Sequence, residues 1–424
     1  MLPARTQGVR LERKKEAALL NTLKRPYLIK RLRITPVSCE GIPCSPCVAA
    51  GDRVEAGGKV AIPADARGIP VFSGISGKVE TVGKRSLPEG GEESFIEIAA
   101  ESDFKQAPPK FVTPRADAES LSGPDLLNLF CELGLVVTDG TNEPLRRRLE
   151  TEGKPPRTIV INGCEPEPYV SSENILMTGH LPEVLKGAEL LRKASGAERV
   201  VFLIEDAERE LFELVKSKIY LLKAASFEVF KVPAIYPMGA ADFLPAEFSL
   251  DSRILNASTA HAAYEAVYFG KPFFERIVTV AGECVAEPRN LWLPFGVSFR
   301  EAVRACKGFL REPARLIAGG PMRGTAQRGD GTAVVTPATN AILALPAEIA
   351  GERREEPCIR CNRCVDTCPV FLSPATITLA AETGEFGIAA EWRVKDCIEC
   401  GICAYVCPSK RPMIDLIHQA KAGL

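Results

Sequence analysis

Cys358-Ile-Arg-Cys361-Asn-Arg-Cys364-Val-Asp-Thr-Cys368-Pro369 and Cys397-Ile-Glu-Cys400-Gly-Ile-Cys403-Ala-Tyr-Val-Cys407-Pro408 stand near the C-terminus of the chain. Both read C-x2-C-x2-C-x3-C-P, the spacing of bacterial [4Fe–4S] sites. Three thiolates on one tight loop can take three iron corners of a cubane, and the fourth corner needs a ligand arriving from elsewhere. In two-cluster ferredoxins the last cysteine of each run serves the other run's cluster. The spacing therefore predicts one cluster on Cys358, Cys361, Cys364 and Cys407, and a second on Cys397, Cys400, Cys403 and Cys368. A zinc site also uses C-x2-C pairs but needs four ligands in total, which two complete runs overshoot. A disulfide framework belongs to small secreted chains, not to one of 424 residues.

At that length two to four domains are expected. Hydrophobic residues make up 46% and charged residues 25%, the balance of a globular protein, and a formal charge of −1 gives no global signal for nucleic acid or membrane. No apolar run approaches membrane-spanning length, and no signal-peptide pattern opens the chain. Fifteen cysteines without a secretory signal point to reduced thiols and metal ligation in a cytoplasmic compartment.

Upstream of the cysteine runs, the middle of the chain alternates strands and helices. Residues 157–162, 199–204 and 227–232 read as buried strands, with helices expected over Leu181 to Ser195 and Glu208 to Ala224, so a parallel α/β sheet follows. Ligands of such sheets lie beyond the C-terminal strand ends, where Asn162-Gly163-Cys164-Glu165-Pro166-Glu167-Pro168 falls. After it, a strand over residues 276–282 and a helix over Ser298 to Lys307 suggest a β-grasp module, with Gly319-Gly320-Pro321-Met322-Arg323-Gly324 expected to close it. Residues 352–357 give a charged hinge, and a helix is expected between the cysteine runs from Ser373 to Thr383.

From Val37 to about Ala100, short strands broken by glycine turns suit a small all-β sandwich whose halves resemble a biotinyl/lipoyl-type barrel-sandwich hybrid. Its hairpin tip, Pro63-Ala64-Asp65-Ala66-Arg67, lacks the lysine of a swinging-arm carrier. Ahead of it Cys39, Cys44 and Cys47 have the C-x4-C-x2-C spacing of the first three ligands of a plant-type [2Fe–2S] site, which Cys131 or Cys164 would have to complete; unligated cysteines in a loop are the plainer alternative. Residues 106–122 read as a linker. The first 36 residues are basic, with Arg10, Arg13, Lys14, Lys15, Lys24, Arg25, Lys30, Arg31 and Arg33 facing only Glu12 and Glu16. Such a segment is either a solvated tail or a dock for an acidic partner or anionic surface.

Asn162 to Tyr169, Gly319-Gly320-Pro321-Met322 and the stretch from Cys397 through Lys421 together resemble the C subunit of the Rnf-type ferredoxin:NAD oxidoreductase. Its relatives include the cobalamin reductase of propanediol microcompartments, the electron-transfer protein associated with proline reductase and, more distantly, the flavoprotein subunit of respiratory complex I. The resemblance implies an α/β multidomain chain. Its parts would be a basic segment over 1–36, a barrel-sandwich hybrid over 37–105, a complex I flavoprotein-like parallel α/β domain over 123–270, a β-grasp (SLBB-like) module over 271–350, and an α-helical dicluster ferredoxin-like domain over 352–424. It further implies redox protein partners, no nucleic acid, and peripheral association at the cytoplasmic side of a membrane complex.

Members of that family that bind FMN and NADH carry G-x-G-G-A-G-F-P-T-x-x-K, because backbone amides must approach phosphate unobstructed. Here residues 134–145 read Gly-Leu-Val-Val-Thr-Asp-Gly-Thr-Asn-Glu-Pro-Leu, with Asp139 and Glu143 where phosphate would lie and Arg146, Arg147 and Arg148 just after. Asn162, Glu165, Glu167 and Asn256-Ala257-Ser258-Thr259 still match the family's flavin corner, or serve only as turn formers and helix caps. The expectation is an electron relay through two [4Fe–4S] clusters without a flavin of its own. The alternative is an FMN-dependent NADH oxidoreductase subunit with a divergent phosphate loop, and a scaffold with structural clusters is a third reading.

Overall fold

The computed structural model describes residues 8–21, 29–36, 42–65, 67–86, 92–100, 111, 115, 118–150, 153–222, 225–240, 243–245, 248, 251–327, 333–351 and 354–424. Cys39, Lys24, Arg25, Ala66, the first two residues of the 352–357 hinge and most of the 106–122 linker lie outside the described residues.

Two small sheets form the first unit. One has the order β1 (Arg31–Ile34), β7 (Glu92–Ala100), β6 (Gly77–Ser86), β3 (Arg53–Val54), and the other the order β2 (Cys44–Pro46), β4 (Lys59–Pro63), β5 (Val71–Phe72). Alternation along the strands sends Leu32, Ile34, Ile96 and Ile98 into the core. Arg31 and Arg33 face outward and pair with Glu80 at 2.9 Å and Glu97 at 2.7 Å.

The central sheet is wholly parallel, in the order β10 (Phe227–Val232), β9 (Arg199–Glu205), β8 (Thr158–Asn162), β11 (Ser252–Asn256). Every residue of β8 is buried, which explains why it reads as a continuous apolar run. The helix expected from Leu181 instead starts a turn and more earlier and runs Ser172–Ser195, passing a kink at His180 and keeping Pro182 inside it. It crosses the helix Ala257–Phe269 closely enough that a Cβ on Gly187 would stand 1.8 Å from the Ala260 carbonyl oxygen, so only glycine fits there. β11 was not anticipated at all.

His261, on the second of these helices, is buried against His180 and Trp292. Burial lowers its pKa to about 4, against the pull of Glu265 and Glu183 and with help from Lys271 and His180. A folded pKa below the unfolded one means that the unfolded chain binds the extra proton, so stability is intact above the unfolded value and falls as pH drops through the window between them. Denaturant melts are expected to lose roughly 3 kcal/mol across that window from this group. His261→Leu should flatten the dependence, and an unchanged pH slope in the variant would remove His261 as its source.

The β-grasp sheet has the order β13 (Arg289–Pro294), β12 (Glu275–Ala281), β16 (Ala341–Leu345), β14 (Arg315–Ala318), β15 (Thr325–Gln327), with β12 and β16 parallel. The Gly319 to Gly324 turn does not close this module: it joins β14 to β15, and the module is completed by β16. The C-terminal unit is built of short helices, Arg363–Asp366, Pro374–Glu382, Phe386–Glu391, Ile402–Tyr405 and Met413–Ala422. No described helix is long and apolar enough to cross a membrane.

Candidate iron–sulfur centres and the crevice beside them

In each cysteine run the chain takes left-handed backbone at the same two positions. Arg360 (φ 55°) and Asn362 (φ 60°) in the first run match Glu399 (φ 54°) and Gly401 (φ 76°) in the second. Such residues reverse the chain sharply and let closely spaced thiols face one space. Short helices then begin at Arg363 and Ile402 and carry the third cysteine inward.

Cys358, Cys361, Cys364 and Cys407 line one cavity. Cys368, Cys397, Cys400 and Cys403 line a second, whose remaining wall includes Leu372, Ile377, Ile402 and Ile417. Among the described residues no three His, Cys, Asp or Glu converge closely enough to hold a single ion. Four thiols line each cavity, the ligand set of a [4Fe–4S] cluster.

Burial pushes the Cys400 thiol up to about 11 and raises Cys364, Cys397 and Cys403 as well. Burial thus disfavours the thiolate form of these four, and ligation to iron is what would drive their deprotonation. Backbone N–H groups of Glu399 and Leu372 donate to the sulfurs of Cys397 and Cys368, both at 3.4 Å, the kind of contact that tunes a cluster's potential. The last helix clamps the second loop, since Lys421 donates to the Cys397 carbonyl at 2.8 Å and His418 meets Glu399 at 2.8 Å.

The second cavity is covered by the loop that follows β10, by the β14–β15 turn and by the N-terminal segment. Tyr236, which is buried, donates its hydroxyl to the Cys400 carbonyl at 2.6 Å, and Arg323 donates to the Ile398 carbonyl at 3.3 Å. Val9, Leu11 and Met322 complete the apolar contact with Ile398 and Ile402. Tyr236 carried no signal in the sequence, and only the fold shows that it meets a cysteine 164 positions away.

At the C-terminal strand ends Asn162, Glu165, Glu167 and Ser258 are engaged by other parts of the chain, while the Asn256 Oδ1 is buried without a partner. The Glu165 carboxylate accepts from Ser172 Oγ at 3.2 Å and from the backbone of Glu173 at 2.9 Å and Asn174 at 3.0 Å, so it caps the Ser172–Ser195 helix. Glu167 accepts from the backbone of Met322 at 2.8 Å and Arg323 at 3.3 Å, fixing the Gly319 to Gly324 turn. Asn162 Nδ2 donates to the Gly239 carbonyl at 2.9 Å. Buried Arg276 stands 3.5 Å from Glu173, which also accepts from Ser258.

Among the described residues of the basic N-terminal segment, Arg13, Lys14 and Lys15 are paired or buried rather than part of a free cationic surface. The segment's residues from Gly8 onward lie beside the chain that follows β10, with Val9 and Tyr236 exchanging backbone hydrogen bonds. Arg13 pairs with Glu208 and, at 3.8 Å, with Glu205; Lys14 pairs with Glu283 at 2.9 Å; and buried Lys15 donates to the Glu165 carbonyl. Burial lowers the Lys15 pKa, against the pull of Glu165 and Glu205.

FMN would need phosphate donors from the loop over residues 134–145. There the N–H groups of Val137, Thr138, Thr141, Glu143 and Leu145 already bond to Glu143, Thr259, Asp139, Thr141 and Leu135. Asp139 and Glu143 are neutralised by Arg148, at 3.3 Å and 2.5 Å, while Arg146 turns away to Glu150 at 2.6 Å. Among the described residues the N–H groups of Asp139, Gly140 and Asn142 donate no hydrogen bond, so the loop offers a few open amides beside its paired acids but lacks the clustered glycines of the family's phosphate loop, and it fits a flavin phosphate poorly. Cys44 and Cys47 donate to the Ile69 and Lys59 carbonyls at 3.6 Å and 3.5 Å, and among the described residues, which do not include Cys39, neither Cys131 nor Cys164 joins them in a metal-binding group.

Family models match this chain in the order of its units: the RnfC barrel sandwich hybrid domain over 4–104, the Nuo51 FMN-binding domain over 131–253, the SLBB domain over 277–326 and the 4Fe-4S dicluster domain over 351–408. The C subunit of the Na(+)-translocating ferredoxin:NAD(+) oxidoreductase complex of Acetobacterium woodii is 30% identical over 371 residues, covering 84% of this chain and 81% of that one. The C subunit of the ion-translocating oxidoreductase complex of Rhodobacter capsulatus is 31% identical over 381 residues, covering 86% and 72%. Among solved structures, a chain of an NAD+-reducing [NiFe]-hydrogenase in the H2-reduced state superposes with a TM-score of 0.51 at 15% identity, covering 74% of this chain and 65% of that one, a likeness of fold alone. With 30–31% identity to the two C subunits sustained over most of both sequences, the chain belongs to the family of C subunits of ion-translocating oxidoreductase complexes.

Proposed function

We propose that this chain is an iron–sulfur electron-transfer subunit that relays single electrons between redox partners through two [4Fe–4S] clusters. Cys358, Cys361, Cys364 and Cys407 hold one cluster, and Cys397, Cys400, Cys403 and Cys368 hold the other. The observation that carries this reading is the pair of cavities, each lined by three cysteines of one run and the last cysteine of the other. Crossed ligation knits the two runs into one unit, so both clusters lie on one short route.

The cluster beside Tyr236 is the inner one, packed on the α/β unit; the other faces outward. Relatives named as subunits of ferredoxin:NAD(+) oxidoreductase complexes support a place for this chain in such an assembly, attached peripherally at the cytoplasmic side of a membrane. Its partners there are redox proteins.

A second reading, an FMN-dependent NADH oxidoreductase subunit, is favoured by the match to the Nuo51 FMN-binding domain and opposed by a loop without the clustered glycines, most of whose amides are already bonded. One preparation separates the two. Anaerobically purified protein is expected to contain about eight iron and eight sulfide per chain, to retain little FMN after incubation with excess, and to show no NADH-driven bleaching of its iron–sulfur absorbance. Four iron in a folded chain would remove one cluster. Stoichiometric FMN with rapid bleaching by NADH would make the second reading the first.

A further inference from the structure

The two cysteine runs are near repeats in sequence and backbone, yet one is covered and the other open. In the inner run Ile398 packs with Tyr236 and Met322, Cys400 is buried and Ile402 is fully buried. At the equivalent places of the outer run, Ile359 is 66% exposed, Cys361 is exposed and Arg363 replaces the buried isoleucine. Every residue from Arg354 to Arg363 is exposed. The covered run thus displays, within one molecule, how this motif seats against protein.

Charge distinguishes the open face. Its neighbouring acids are occupied, Glu356 by Arg354 at 3.3 Å and Glu355 by Arg411 at 3.9 Å. Arg360 and Arg363, both beside the outer cavity, have no ion pair among the described residues. Asp366 is the nearby unpaired acid, and it does not line that cavity. At the inner run the residue equivalent to Arg360 is Glu399, held by Lys421 and His418. Two unpaired guanidinium groups around an exposed isoleucine, directly over four thiols, form an apolar anchor with a cationic rim.

We infer that the face formed by Cys358 to Arg363 is the docking surface for an acidic one-electron redox protein, with Ile359 at its centre and Arg360 and Arg363 meeting carboxylates around the partner's own exposed centre. This rests on the relay reading and deepens it by naming where a partner docks and what its surface carries. One electron leaves the reduced partner, which is oxidised by one equivalent, and this chain is reduced by one; no bond forms or breaks and no proton moves. In the reverse direction the roles exchange.

The test uses the full chain, purified anaerobically with its clusters, mixed in stopped flow with a reduced acidic two-[4Fe–4S] ferredoxin or with methyl viologen radical, a small cation. Raising ionic strength from low to high is expected to slow the ferredoxin reaction by at least about tenfold. The doubly substituted Arg360→Glu, Arg363→Glu chain should show a ratio of ferredoxin rate to viologen rate lowered about tenfold, with Arg360→Gln, Arg363→Gln in between. Iron content and absorbance of each variant establish that its clusters are in place, and the milder glutamine pair carries the test if the glutamate pair does not assemble. If the ratio and its salt dependence are unchanged in both variants while viologen still reduces the clusters, docking lies elsewhere and the inference fails although the relay stands. If neither donor reduces the clusters, the relay itself fails and the inference with it.

Discussion

Cys368→Ser is expected to abolish or radically alter the centre held by Cys397, Cys400 and Cys403, although residue 368 belongs to the other run. Its sulfur shares a cavity with those three and accepts a hydrogen bond from Leu372 N at 3.4 Å, within the wall that also includes Ile377 and Ile417. A serine hydroxyl is a poorer ligand for iron than a thiolate, so one corner of that cluster becomes labile. Electron paramagnetic resonance of the reduced variant should show the inner centre lost or shifted and the outer one retained. Cys361→Ser should give the converse pattern. Were both substitutions to disturb the same signal and spare the other, the crossed ligation would be wrong.

Removing iron should have a structural effect nearly as large, confined to one end of the chain. The C-terminal unit has helices of four to ten residues, too short to persist alone, and Cys364, Cys368, Cys403 and Cys407 sit inside its core. Without clusters that core has cavities at its centre and buried thiols without metal. Anaerobic chelation is expected to speed amide exchange over residues 354–424 by at least about a hundredfold. The central sheet, whose core is formed by Phe130, Ile159, Ile161, Val200, Phe202 and their neighbours, should keep its protection. Equal loss in both regions would show that the clusters support the whole chain rather than the unit that holds them.

The cysteine runs were legible because a cluster-binding loop has a fixed spacing, and the expected crossed pairing, which rests on loops that are each one ligand short, agrees with the cysteines that line each cavity. The strands β8, β9 and β10 were legible for a different reason: burial on both faces leaves a continuous apolar run. β11 was missed because Ser-Arg-Ile-Leu-Asn is short and polar at both ends, and it becomes a strand only by pairing with β8. The early start of the long helix was hidden by the kink at His180 and by Pro182 inside the helix, where the expected helix began. Tertiary placement was not legible at all. Lys15 reads as part of a solvated basic run, yet it is buried against Glu165, and the shared spacing of the two cysteine runs does not tell that Tyr236 and Met322 will cover the second.

Whether the chain is a two-centre relay is tested most directly by anaerobic reductive titration followed through its iron–sulfur absorbance. About two electrons per chain are expected, taken up with bleaching of the iron–sulfur bands and no flavin band. Uptake of one electron by a fully iron-loaded chain, or none, would contradict the relay.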